Sequence, residues 1–114
     1  MILDCPNPRI LARFYSEVLG AEIVGYDDDW AEIVLPDTNR PLLAFQQVEN
    51  FVAPKWPTQD VPQQTHLDIR VSDLDVAETA VLALGATRAG SDTLTFRVYL
   101  DPAGHPFCLI VPAD

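Results

Sequence analysis

Cysteine is scarce in this chain. Cys5 and Cys108 stand at opposite ends of the sequence with no second pair, which excludes a disulfide framework and a cysteine-rich zinc site of the usual spacing and suits a reducing cytoplasm. Basic residues are few as well: seven Lys and Arg against seventeen Asp and Glu give a formal charge of −10. Such a surface repels a phosphate backbone, which argues against a nucleic-acid partner; its commoner meaning is solubility, and attraction of a cationic small molecule is the alternative. Long apolar runs are missing too. None nears the roughly 20 residues that cross a bilayer, and Met1-Ile2-Leu3-Asp4 lacks the basic start and apolar core of a leader. The expectation is a cytoplasmic protein with no membrane partner.

What is present fits one domain over residues 1–114, long enough to bury a core without staples. Met1–Cys5 reads as a short strand. Asn7 and Pro8 then open a helix as N-cap and first helical residue, with Ile10, Leu11, Phe14, Val18 and Leu19 as its buried stripe and Gly20 at its end. Strands follow at 21–26, 30–35 and 42–47, with Asp27-Asp28-Asp29 as a solvated hairpin tip and 36–41 as a second turn. The order then repeats: strand 64–71, helix 74–84 carrying Leu74, Ala77, Ala80, Val81 and Leu84, and strands 86–90, 94–100 and 105–111. Leu19-Gly20-Ala21 matches Leu84-Gly85-Ala86, and Asn7 matches Asp73, as expected of a duplicated unit. The fold class is therefore α+β, two βαβββ modules over 1–47 and 63–114 joined by a linker over 48–62. Phe51, Val52 and Trp56 make that linker apolar and its prolines stiffen it, so it reads as a strap across the body rather than a mobile lid.

The chemistry-bearing stretch is 63–75, QQTHLDIRVSDLD. Thr65, Leu67, Ile69 and Val71 alternate with His66, Asp68 and Arg70, so one strand face is polar. That face is either wet or lines a cavity. His66 reads as a ligand contact or as a partly buried histidine bonded to its neighbour. Asp68 either orients His66 or, the more usual case, pairs with Arg70 or Arg97. Cys108 reads first as a small buried hydrophobe, and His105, after a turn glycine, as exposed. Trp30 and Trp56, with ring N–H groups seeking acceptors, are the expected wall residues of a small-molecule site.

FYSEVLGAEI after the first helix, HLDIRVSDLD opening the second unit and VYLDPAGHPFCLI closing it together resemble the glyoxalase-like domains of the vicinal oxygen chelate superfamily, the group of glyoxalases, bleomycin-resistance proteins and extradiol dioxygenases. The resemblance implies strands curled around a cavity that takes a small organic ligand. It also implies, in metal-dependent members, four ligands from the first, fourth, fifth and eighth strands. His66 matches the fifth-strand histidine, Cys108 falls where the eighth-strand acid belongs, Gln46 falls near the fourth-strand position, and the first-strand histidine falls just before Met1. On that count no cofactor is expected; a divalent metal, if bound, would use His66 with Gln46 or Cys108. The implied function is binding of a small molecule at His66, Gln46, Asp68, Trp30, Trp56 and Cys108, with lyase, isomerase or dioxygenase chemistry on an eroded metal site left open. The alternative is antibiotic sequestration of the bleomycin-resistance kind. The resemblance and the short first strand, whose edge is otherwise open to aggregation, imply a homodimer.

Overall fold

The computed structural model describes residues 1–36, 41–63, 65–90 and 92–112. Ten elements follow in order: β1 (Ile2–Cys5), α1 (Pro8–Leu19), β2 (Glu22–Tyr26), β3 (Trp30–Val34), β4 (Pro41–Gln47), β5 (Leu67–Arg70), α2 (Leu74–Ala83), β6 (Thr87–Gly90), β7 (Phe96–Leu100) and β8 (Pro106–Ile110). They form two four-stranded mixed sheets, ordered β1-β4-β3-β2 and β5-β8-β7-β6, each with one helix. This is the βαβββ unit twice, as the repeat in the sequence implies. The turn expected over 36–41 falls largely on residues 37–40, outside the described residues. Two compact units divide at Phe51 and Val52, inside the expected linker. Among the described residues no helix is long and apolar enough to cross a membrane.

In the first unit Asn7 caps α1, its side-chain oxygen accepting from the backbone N–H of Arg9 and Ile10 at 3.1 and 3.3 Å, which satisfies donors that the helix leaves orphaned. Gly20 ends the helix at φ 64°, a left-handed conformation that glycine adopts without a side-chain penalty. The buried stripe differs from the expected one. Pro8, Leu11, Ala12, Phe14 and Tyr15 face inward, Val18 and Leu19 are half-buried, and Ile10 is 51% exposed. Pro8, Leu11, Ala12 and Tyr15 fall at i, i+3, i+4 and i+7, and that row sets the direction of burial, turning Ile10 outward. Tyr15 stacks on Phe45 of β4 with ring centres 5.9 Å apart and planes within 7°. Phe14 meets Tyr15 edge-on at 4.9 Å. Leu3, Ala31, Ile33, Leu43 and Phe45 complete this core.

In the second unit Asp73 caps α2 through a bond from the Val76 N–H at 3.0 Å. Only Val81 of this helix is buried; Ala80 and Leu84, expected inside, are exposed. The core lies instead on the sheet, where Val98, Tyr99, Phe107 and Leu109 are nearly sealed from solvent. Tyr99 stacks on Phe107 at 5.6 Å and donates its phenol to Glu78 Oε1 at 2.8 Å. Glu78 also faces Arg88 and Arg97, each at 3.6 Å.

Burial, with the Glu78 hydrogen bond and charge added, pushes the Tyr99 phenol up to about 12. Its unfolded counterpart ionises near 10, so the folded state prefers the neutral phenol. That contribution is whole below the unfolded value and is lost as pH rises through 12. Alkaline titration followed by tyrosinate absorbance is expected to show a late component that vanishes in Tyr99→Phe. A wild-type curve completed near pH 10 would overturn this assignment.

The segment between the sheets is held locally by a bond from the Lys55 N–H to the Val61 carbonyl at 2.7 Å. It also touches the β7–β8 turn. A Cβ on Gly104, which sits at φ 93°, would come within 2.7 Å of Ala53 Cβ, so the close approach requires glycine there. The strap reading is met only in part, because Phe51 and Trp56 are both half-buried rather than core. In the turn itself Asp101 is buried, and its Oδ1 accepts from the N–H of Ala103 and His105 at 2.9 and 3.0 Å. This local ordering leaves His105 half-buried rather than exposed.

Candidate functional site

The second sheet pairs its first strand with its last, in parallel. Asp68 on β5 lies opposite Cys108 on β8, and Leu67 and Ile69 lie opposite Phe107 and Leu109. Strand alternation sends Leu67 and Ile69 to the half-buried side and Asp68 and Arg70 to the exposed side, as the sequence implies. The strand is shorter than expected, so His66 stands in the segment just before it, and the start of the expected strand at Gln64 lies outside the described residues. Two positions before Asp68, His66 brings its Nε2 to 3.3 Å from Asp68 Oδ1, with the two side chains 40% and 53% exposed. Asp68 therefore partners His66. The pairing with Arg70 or Arg97 is corrected, because Arg97 sits beneath α2 and reaches Asp75 at 2.8 Å and Glu78 at 3.6 Å instead.

Cys108 is buried, as its reading as a small hydrophobe implies, yet its sulfur belongs to the same group. The ligand atoms of His66, Asp68 and Cys108 all lie within 4.8 Å of one another. Burial pushes the Cys108 thiol up to about 11, and the charge and hydrogen bond of Asp68 add to the rise. At neutral pH the thiol is protonated and a poor nucleophile. What this side of the sheet offers a ligand is an imidazole held by a carboxylate, with donors and acceptors still reachable from solvent.

Trp30 and Gln46 belong to the first unit. The pairing of β1, β4 and β3 sets Asp4, Gln46 and Trp30 in one row, with Gln46 exposed and Trp30 half-buried. The Trp30 ring N–H is already committed to Glu32 Oε1 at 2.9 Å. Register also relates the two modules: Gln46 faces Asp4 as Cys108 faces Asp68. Of the family's positions read from the sequence, the described residues supply Gln46, His66 and Cys108. One neutral amide, one imidazole and one soft thiol do not make the hard oxygen-rich set that holds magnesium, manganese or iron.

Trp56 belongs to the second unit. Its ring Nε1 is buried and has no hydrogen-bond partner, and Gln63 Oε1 shares that condition. A buried polar atom left unpaired costs on the order of 1 to 3 kcal/mol, so both are candidate contacts for a polar ligand. Gln63 escaped the sequence reading, which had no signal for it beyond its place beside Thr65 and His66.

The sequence matches the glyoxalase-like domain family over residues 1–110. No curated relative matches it. Among solved structures the fold is similar to that of a glyoxalase/bleomycin resistance protein/dioxygenase family enzyme from Burkholderia phytofirmans, at 15% identity and TM-score 0.71, covering 97% of this chain and 94% of that one. It is similar also to a fosfomycin resistance protein from Mesorhizobium loti, at 17% identity and TM-score 0.71, with coverage of 99% and 89%. A glyoxalase-related enzyme from Fulvimarina pelagi superposes at 18% identity and TM-score 0.69, with coverage of 98% and 85%. Identities this low make each of these a likeness of fold.

Proposed function

We propose that this chain, which belongs to the glyoxalase-like domain family of the vicinal oxygen chelate superfamily, binds a small organic molecule through the His66 and Asp68 side of its second sheet. The observation that carries the reading is the His66–Asp68 pair, 3.3 Å apart and still open to solvent on both partners. Two exposed polar groups held together by the fold offer a ligand a directed hydrogen-bonding site without the cost of ordering them first. The unpaired Trp56 Nε1 and Gln63 Oε1 are further groups for a polar ligand to satisfy. Trp30 and Gln46 lie in the first unit and form no part of the site proposed on the second. Lyase, isomerase and dioxygenase chemistry is left out of it, because the residues at the family's ligand positions do not supply the metal such steps use. A cytoplasmic setting belongs to the same reading, since two reduced cysteines suit a reducing compartment.

The test is thermal unfolding against a panel of small organic acids, amines and hydroxy-carbonyl compounds. A ligand at a hundred times its Kd adds about 2.7 kcal/mol of stability. That gain is expected to fall by more than half in both His66→Ala and Asp68→Asn. A stabilising compound whose effect is untouched by both substitutions binds elsewhere, and the assignment is then wrong. We also propose a homodimer with two equivalent sites, on the strength of β1, a four-residue edge strand with Met1 and Ile2 exposed. Titration of the best compound should saturate at two per particle, on a particle of twice 12.6 kDa by light scattering. A mass of 12.6 kDa at all concentrations removes the dimer.

A second reading, sequestration of a cationic antibiotic, is favoured by the charge of −10. Calorimetric titration with a cationic glycopeptide separates the two, and absence of heat at micromolar ligand removes sequestration.

A further inference from the structure

We propose that the molecule bound on the second sheet is an organic monocarboxylate with an apolar body, its carboxylate seated by the guanidinium of Arg70. This names the ligand class of the site proposed above and rests on that reading. The chain has few cations and engages most of them with its own acids. Arg9 pairs with Asp28 at 3.1 Å, Arg88 with Asp92 at 2.8 Å and Arg97 with Asp75 at 2.8 Å, and Arg40 lies outside the described residues. Arg13, Lys55 and Arg70 carry no ion pair among the described residues. Of these three only Arg70 belongs to β5, two positions past Asp68 on the same exposed face. Asp68 cannot serve as its counter-ion, because that carboxylate is engaged by His66 at 3.3 Å and by the Cys108 thiol. Beside the proposed site, then, stands a cation whose partner the chain does not supply.

Register gives the surroundings of that cation. Arg70 lies opposite Ile110 on β8, and Ile110 lies opposite Phe96 on β7; directly opposed residues share a sheet face. Ile110 and Phe96 are both half-buried, so an apolar strip runs inward from the charged edge and still has surface to offer. The adjoining row holds Asp68, Cys108 and Val98. A molecule that fits this layout carries an anion at Arg70, hydrocarbon over Ile110 and Phe96, and a polar group toward the His66–Asp68 pair. A guanidinium binds a carboxylate through two parallel N–H donors. One unpaired cation balances one negative charge, whereas the second charge of a phosphate monoester would meet Asp68 and the field of a chain at −10. That field does not turn a monoanion away, since physiological salt screens it beyond about 8 Å while the ion pair forms at contact.

The experiment titrates the full-length protein with α-hydroxybutanoate, α-hydroxypentanoate and α-hydroxyhexanoate, with α-hydroxyhexanamide as the neutral match and hexyl phosphate as the dianion. Binding is followed by NMR on the backbone amides of β5 and on the arginine Nε–H signals, that of Arg70 being the one missing from Arg70→Gln. The acids are expected to move the Arg70 signal, the amide is not, and Kd should fall about threefold with each added methylene. Arg70→Gln should weaken α-hydroxyhexanoate by about fivefold or more and leave the amide unchanged. His66→Ala and Asp68→Asn should weaken acid and amide alike. All three residues are exposed, so the variants should fold. Acid and amide that bind equally, both weakened by His66→Ala and Asp68→Asn and neither by Arg70→Gln, overturn the carboxylate assignment while the organic-ligand site stands. Acid binding that depends on Arg70 and is untouched by the other two substitutions keeps the anion seat and overturns the wider reading. An Arg70 signal that no acid moves at about 10 mM overturns the proposal, and so does tighter binding of hexyl phosphate than of α-hydroxyhexanoate.

Discussion

Phe45→Ala is expected to remove about 3 to 5 kcal/mol of folding stability, the usual loss when a fully buried aromatic ring is truncated. Phe45 has no exposure and sits on β4, the strand that joins β1 to β3. One face of its ring carries the stacked Tyr15, which in turn packs edge-on against Phe14. Deleting the ring therefore opens a cavity and breaks the aromatic pair that fixes α1 to its sheet, and pairs of this kind add about 0.5 to 1.5 kcal/mol beyond area burial. Domains of this size hold only about 5 to 15 kcal/mol in total. Urea unfolding should show the midpoint falling steeply, while Val24→Ala, at a side chain 38% exposed, stays within about 0.5 kcal/mol of the parent. If Phe45→Ala cost under 1 kcal/mol, the first core would not be organised around β4.

The second large effect is expected at Asp101. Asp101→Ala should cost about 2 to 4 kcal/mol, because two backbone donors, on Ala103 and His105, lose the acceptor that satisfies them in a turn where Asp101 is only 4% exposed. Asp101→Asn retains an oxygen at the same place and should cost about 1 kcal/mol or less. Equal destabilisation by the two substitutions would show that charge rather than acceptor geometry holds the turn. The consequence reaches the candidate site. Pro106 starts β8 directly after this turn, and β8 delivers Cys108 to Asp68. Asp101→Ala should thus weaken ligand binding at His66 and Asp68 as well as stability, with both read on protein that remains folded.

Much of the architecture could be read from local chemistry. Asn7, Pro8 and Gly20 bracket the first helix through rules that involve a single turn of chain, and Asp73 does the same for the second. The polar row His66, Asp68, Arg70 was legible because alternation along a strand is also local. What escaped the sequence was set at long range. The partner of Asp68 depends on which strand lies beside β5, and no periodicity in residues 63–75 names β8. Arginine is the expected partner of an aspartate on charge alone, but here Arg97 is drawn to α2, where Asp75 and Glu78 wait. The same limit explains Ile10 and Leu84. Both fit an apolar stripe, and both stand exposed, at 51% and 39%.

Parallel pairing of first strand with last has a consequence for synthesis of the chain. Ile2 finds its partner at Ala44 and Leu67 finds its partner at Phe107, so neither sheet is complete until its final strand has left the ribosome. Long-range parallel contacts of this kind repay the entropy of loop closure only at the end. The first sheet has all its strands once Gln47 has emerged, well before β5 exists, and domains formed in that order fold as units from the N-terminus. The second sheet has no such head start. Its first strand, which pairs in that sheet with β8 alone, waits with both edges unpaired through the making of α2, β6 and β7, and a ribosome that stalls before Pro106 leaves it so. Aggregation on such stalled chains should begin at Leu67–Arg70.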